Sequence, residues 1–193
     1  MTGARRLLSE AGRWIRARLK FTASAAVLLL AGCTAARPPI PTVAHVDLAR
    51  FMGRWYVIAA TPTFFDENAY DAVESYRLAP DGTVLTTYTF HAGGFDGPVK
   101  TLRPRARVLD RASNARWGLQ FLWPFRAQVL IAYLAKDYGV TVIARDPRDY
   151  VWIMARTPTI SVGEYRRVRA FVGSLGYDVT KLRLYPQRWP AKP

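Results

Sequence analysis

From Gly53 onward the apolar residues fall into short runs whose period is close to two. Gly53–Ala60, Asp71–Leu78, Thr83–Phe90, Val99–Leu109, Arg116–Leu122, Ala127–Ala135, Val140–Arg145 and Tyr150–Ala155 are rich in aromatic and β-branched residues, the pattern of strands with one face buried. Turn-forming residues separate them: Pro80-Asp81-Gly82, the Gly93–Pro98 loop, Asp110–Asn114, Pro124, Lys136–Gly139 and Asp146–Asp149. Eight short strands in order, joined mostly by short turns, predict an all-β fold, an up-and-down antiparallel barrel. The period changes once. Tyr165, Val168, Phe171, Val172 and Leu175 recur at helical spacing. Ser161 and Glu164 have the spacing of a helix N-terminal cap, and Gly176 is a natural stop. One C-terminal helix is therefore predicted, and Lys181–Tyr185 can add a last short strand.

The first 32 residues follow a different pattern. Arg5, Arg6, Arg13, Arg16, Arg18 and Lys20 stand against one acid, Glu10, and Phe21–Ala31 is apolar apart from Thr22 and Ser24. A basic start, a short apolar run and small residues at its end make a secretory signal. The run is about half the length that spans a bilayer. It ends in Leu30-Ala31-Gly32-Cys33, with the only cysteine of the chain, and resembles the site where bacterial lipoproteins are cleaved and acylated. Residues 1–32 are thus expected to be a lipoprotein signal peptide and Cys33 the lipidated residue. Residues 33–46, with Pro38, Pro39 and Pro41, are expected to be a stiff spacer. The barrel and helix would occupy 47–185, with a tail over 186–193.

Composition narrows the function. Six of the 28 basic and one of the 14 acidic residues lie in the leader, which leaves 22 against 13, a net charge of +9. Such a surface suits anionic lipid head groups or plain solvation. No zinc spacing, helix-turn-helix or RNA-binding signature accompanies it, so nucleic acid is not an expected partner. With Cys33 used as the anchor no thiol remains, so a disulfide framework is excluded. Two isolated histidines, His45 and His91, do not make a metal site. No nucleophile elbow or phosphate-binding loop is present. The expectation is a binding protein without catalytic residues, metal or cofactor.

Three short motifs carry a family resemblance. Gly53-Arg54-Trp55-Tyr56 opens the first strand, Asp137-Tyr138 sits between the sixth and seventh, and Arg156 ends the eighth just before the helix. In this order they resemble the three lipocalin motifs. The stretch from Tyr150 to Ser161 looks more specifically like the bacterial outer-membrane lipoprotein lipocalins and is similar to apolipoprotein D. The resemblance covers about Asp47 to Tyr185. It implies that Gly53, Trp55, Asp137, Tyr138 and Arg156 are structural. The Trp55 indole would plug the narrow end of the barrel, with the Arg156 guanidinium across its face. Lys136 departs from the Thr frequent in the family at that place.

An eight-stranded barrel can hold one small ligand, and side chains alternate between its two faces. If Trp55 faces inward, so do Val57 and Ala59. The resemblance to apolipoprotein D places Tyr76 and Trp152 in the cavity. Met154 and Tyr150 share a side with Trp152. Trp117, Leu119 and Phe121 form one apolar set, while Val129, Ile131 and Tyr133 are candidates in the next strand, with Leu130 and Leu134 competing for the same face. Glu74 has the same parity as Tyr76. Two readings stand for it: contact with an arginine or polar head group near the barrel mouth, or escape to water through the mouth or a bulge. The loop aromatics Phe64, Phe65, Tyr70, Phe95, Trp123 and Phe125 can form a lid, touch a membrane or cover the core.

The resemblance implies a fatty acid, lysophospholipid or similar amphiphile as ligand, the outer membrane as partner through the lipid anchor, a barrel facing the periplasm, and a homodimer as an open possibility. A scaffold lipoprotein with a filled barrel is the alternative.

Overall fold

The structure is a computed structural model that describes residues 37–122 and 125–188, without the side chains of Phe121, Leu122 and Phe125. The chain divides into Met1–Pro38 and Pro39–Pro193, and the barrel with its helices belongs to the second unit. Residues 1–32, expected to be a signal peptide, and Cys33 lie outside the described residues, as does Trp123.

Ten strands form a single antiparallel sheet: β1 (Gly53–Ala60), β2 (Ala69–Leu78), β3 (Thr83–Ala92), β4 (Val99–Leu102), β5 (Arg105–Val108), β6 (Arg116–Leu122), β7 (Phe125–Leu134), β8 (Val140–Ala144), β9 (Trp152–Ala155) and β10 (Arg183–Leu184). The strands pair in meander order, and β9 pairs back onto β1, which closes the barrel. The expected fourth strand is broken. Arg103 and Pro104 separate β4 from β5, because proline has no N–H to continue the ladder. The Pro104 carbonyl instead accepts from Thr86 N at 3.1 Å. Counted as one bent strand, β4–β5 makes eight strands around the barrel. The short β10 runs beside Ala59 and Ala60, at the edge of β1 that β2 leaves free.

Among the described residues two α-helices flank the barrel. Helix α1 (Leu48–Phe51) is a single turn capped by Asp47, whose carboxylate accepts from Arg50 N. Helix α2 (Val162–Ser174) is capped by Ser161, which accepts from Glu164 N. It lays Val168 and Val172 on the outside of β7, β8 and β9. The apolar side chains therefore form two separate cores. One fills the barrel, around Phe51, Trp55, Val57, Tyr76, Trp117, Ile131 and Met154. The other lies between barrel and α2, around Ile58, Leu130, Val142, Ile153, Val168 and Val172.

Residues from Ile40 onward are not a free spacer. Ile40 and Val46 are fully buried, Ile40 N donates to Asp146 Oδ1 at 2.7 Å, and Val43 N donates to Ile131 O at 3.0 Å. Nor is the whole C-terminus a tail. Asp71 N donates to Pro186 O, Gln187 Nε2 donates to Val57 O and Ala72 O, and Arg188 pairs with Asp96 at 2.8 Å. These contacts strap 186–188 across the β1–β2 gap.

Candidate functional site

The closed end is built from the motif residues. The Arg156 guanidinium stands 3.8 Å from the centre of the Trp55 ring. It also donates to three carbonyls, those of Arg54 (2.8 Å), Arg50 (2.7 Å) and Phe51 (3.0 Å). The Trp55 indole N–H donates to Phe51 O at 2.9 Å. One side chain thus ties β9, β1 and α1 together. Gly53, at φ +94°, leaves room for this: a Cβ there would stand 3.4 Å from Arg156 Nη1. In the adjoining loop Asp137 accepts from Gly139 N, Gly139 O accepts from Arg156 N, and the Tyr138 hydroxyl accepts from Asp47 N. Arg50 lies 4.0 Å above the Tyr138 ring.

Directly above this plug, four aromatic rings pack on one another. Phe51 contacts Trp55, Tyr76 and Trp117 at centroid distances of 5.0, 5.6 and 5.4 Å, and Tyr76 contacts Trp117 at 5.5 Å. This is the floor of the barrel. Val57, Leu119, Val129, Ile131 and Met154 continue its walls, and Trp152 packs against the same cluster. Backbone pairing explains the arrangement, since residues directly opposite each other on neighbouring strands share a face. Trp55 faces Glu74 and Glu74 faces Tyr88. Trp117 faces Val129, and Ile131 faces Ile143.

The same register reverses two expectations. Tyr133 is not on the inner face. The register shifts between Ile131 and Tyr133, so Tyr133 pairs with Val142 and its ring packs on Phe171 of α2 at 5.5 Å. A second shift between Val57 and Ala59 turns Ala59 to the α2 side and puts Ala60 inside. In both cases a bulge adds a residue and inverts the alternation beyond it. Phe121 lies on β6, but its side chain is not among the described ones.

Glu74 shares the inner face, as its parity with Tyr76 predicts. Its carboxylate lies on the inner face between Trp55 of β1 and Tyr88 of β3, and the residue is half-buried. No arginine or lysine pairs with it among the described residues. Burial is the main cause that pushes its pKa up to about 7. The Tyr76 hydroxyl bonds to it and opposes the rise, and the nearby Asp66 carboxylate adds to it. Asp66 reaches the interior from the loop after β1. It accepts from Thr63 N and Oγ1 at 2.7 and 2.6 Å and from the Tyr88 hydroxyl at 3.0 Å. Burial first, then Asp66, raises the Tyr88 and Tyr185 phenols well above their ordinary range.

Tyr88, Phe90, Ala60 and Tyr185 thus join the barrel lining, in addition to the residues named from the sequence. Tyr88 and Phe90 were readable from the alternation of their strand. Nothing local points to Asp66 or Tyr185, because one sits in a loop and the other follows a two-residue strand.

At the open end Phe64 and Phe65 are strongly exposed. Tyr70 stacks on Phe95 at 5.0 Å, with Arg188 over the Phe95 ring. His45 and His91 each hydrogen-bond a loop carbonyl, those of Ala112 and Gly97. A separate cleft of about 400 Å³ opens at the Pro104 bend beside Arg77, Arg103 and Arg105; of the expected cavity residues only Tyr76 borders it.

Residues 46–187 match the family profile of the lipocalin-like domain. Among curated proteins, temperature-induced lipocalin-1 of Arabidopsis thaliana is 28% identical over 75% of this chain and 81% of its own length. Outer membrane lipoprotein Blc of Escherichia coli K12 is 27% identical over 82% of this chain and 90% of its own. Bovine apolipoprotein D is 24% identical over 78% and 82%. Among solved structures, insecticyanin of Manduca sexta superposes with a TM-score of 0.60 at 11% identity, covering 79% of this chain and 91% of that one.

Proposed function

Because the chain belongs to the lipocalin-like family, we propose that its barrel holds one amphiphile, a fatty acid, a lysophospholipid or a molecule of similar shape, and stores or carries it at the outer membrane. The observation that carries this reading is the division of the barrel interior. Below, the rings of Phe51, Trp55, Tyr76 and Trp117 pack on one another. Above them, Glu74 and Tyr88 point inward from β2 and β3 yet keep accessible surface. The upper part of the interior is lined by Leu119, Val129, Phe90 and Trp152, beside the surface that Glu74 and Tyr88 keep.

Acyl-chain burial supplies the affinity. Each methylene moved from water into such a lining contributes about 0.8 kcal/mol. Roughly ten of them outweigh several kcal/mol of ordering and immobilisation. A chain that enters methyl-end first leaves its polar head at the wet mouth, where no desolvation of the head is needed. The relatives named outer membrane lipoproteins support the address, and the Leu30–Cys33 sequence supports an acyl anchor. An anchored barrel facing the periplasm would exchange its ligand with the membrane that holds it.

The test is delipidated protein titrated with lysophospholipid and fatty acids of graded length, with tryptophan fluorescence as the signal. Trp152 and Trp117 line the inside, so a saturable change that strengthens with chain length is expected. No saturable change at any length would sink the carrier reading and favour a scaffold with a filled barrel. Mass analysis of the membrane-extracted protein checks the second half: the chain should begin at a triacylated Cys33.

A further inference from the structure

The barrel interior is acidic, although the chain as a whole is strongly basic. Glu74 and Asp66 both project into it, and among the described residues neither is ion-paired. The groups facing Glu74 come from every neighbouring element: Asp66 from the loop after β1, Tyr76 from β2 itself, Tyr88 from β3, and Tyr185 from the segment after β10. Arg156 lies below, where its charge acts on Tyr76.

A second observation is independent of the carboxylates. Tyr185 is 5% exposed, belongs to the interior cluster and lies next to Asp66 and Tyr88; its hydroxyl forms no hydrogen bond of good geometry, and Asp66 is the acceptor beside it. A buried hydroxyl short of a well-formed bond is costly, and its oxygen can still accept from a donor.

Taking the interior as a ligand cavity, we propose that the polar group above its aromatic floor is a site for an organic ammonium ion: a protonated amine carried on an apolar body, seated against Glu74 and ringed by Tyr88, Tyr76 and Tyr185. The argument is one of complementarity. An ammonium group donates hydrogen bonds that the carboxylates and the Tyr185 phenol oxygen can accept. The electron-rich ring faces attract it further. A carboxylate ligand in the same place would meet two like charges. The cost of holding a negative charge at Glu74 is already met by the fold above neutral pH, so the cation gains the attraction without a fresh desolvation of its partner. The amphiphile class is thereby narrowed. Anionic lipids are restricted to the methyl-first orientation, whereas an amine can enter head-first.

Delipidated protein is titrated at pH 8 and pH 5.5 with dodecylamine, 1-dodecanol and dodecanoate, each below its micelle threshold, with fluorescence as readout. At pH 8 dodecylamine is expected to bind about tenfold tighter than dodecanol. The preference should shrink at pH 5.5, where Glu74 is protonated. Glu74→Gln should remove most of it while strengthening dodecanoate binding, and Tyr185→Phe, the milder change, should lower the amine-to-alcohol ratio by about threefold. Dodecanol binding with no preference for the amine, or a preference that survives both substitutions, overturns the ammonium site alone. Failure of all three ligands to bind overturns it together with the carrier reading.

Discussion

A carboxylate that costs stability when ionised should betray itself in the pH dependence of folding. Glu74 has a pKa of about 7 in the folded barrel against an ordinary 4.5. At about 1.4 kcal/mol per pH unit this interval corresponds to roughly 3 kcal/mol. The sign follows from proton binding. Between pH 4.5 and 7 the folded chain holds a proton at Glu74 that the unfolded chain has lost, so stability falls as the pH rises. The loss begins near pH 4.5 and is complete just above pH 7. Glu74→Gln resembles the protonated acid in shape and hydrogen bonding and has no such dependence. Guanidinium unfolding of delipidated wild type and E74Q at pH 4.5, 6, 7 and 8 isolates the effect, because other titrating groups cancel in the difference. The two proteins should be nearly equal at pH 4.5. At pH 8 E74Q should be more stable by about 3 kcal/mol, or roughly 6–12 °C in midpoint for a domain of this size. A difference that stays constant across the range, or one that favours the wild type at pH 8, would refute the placement of Glu74 without a cation in surroundings that disfavour its charge.

Three further outcomes follow from the packing. Arg156→Ala removes the ring contact and three hydrogen bonds to carbonyls; it should lower stability by about 2–3 kcal/mol in urea unfolding, and Arg156→Lys should recover only part, since an ammonium cannot span all three carbonyls. Tyr133→Ala should cost about 3 kcal/mol by opening a space under Phe171, with lipid affinity in the fluorescence titration unaltered; a large loss of affinity would place the ring inside after all. Ile40→Ala should cost about 2–4 kcal/mol in the same unfolding assay, because the residue is fully buried against the outer core. Full wild-type stability would mean that the segment is a free spacer.

The regular parts of the fold were legible because alternation is a local property. A strand with one face in water must repeat polar and apolar residues every second position, whatever its partners. That is why β1 and β6 have the bounds read from the residues, and why Trp117, Leu119 and Met154 lie on the interior side. Alternation misleads where a bulge breaks the count. Tyr133 and Ala59 lie just beyond register shifts, and nothing in their own neighbourhood marks the extra residue. It misleads again at the ends. A proline-rich stretch looks extended whether or not it is packed, and only the buried Ile40 and its bond to Asp146, 106 residues away, reveal that it is held on the barrel.

The candidate site divides in the same way. Trp55 and Arg156 could be paired in advance only because their motifs occur in a known order; the ring stacking itself joins residues from opposite ends of the barrel sequence. The electrostatics of Glu74 could not be read at all. Its burial depends on which strands flank it, and its neighbours Asp66, Tyr88 and Tyr185 come from a loop, another strand and the C-terminal segment.

By itself, then, the order of residues determined an antiparallel meander, one late helix and an aromatic-rich lining, and it sets before them a basic and apolar stretch that resembles a lipoprotein signal. Those follow from period, length and composition, which act within a few residues. Tertiary structure alone decided which side of each bulge faces the interior, how tightly the aromatic floor closes, and that two carboxylates share that interior without a cation among the described residues. Those depend on barrel closure, which sets distances between residues remote in the chain and strips water from the groups enclosed.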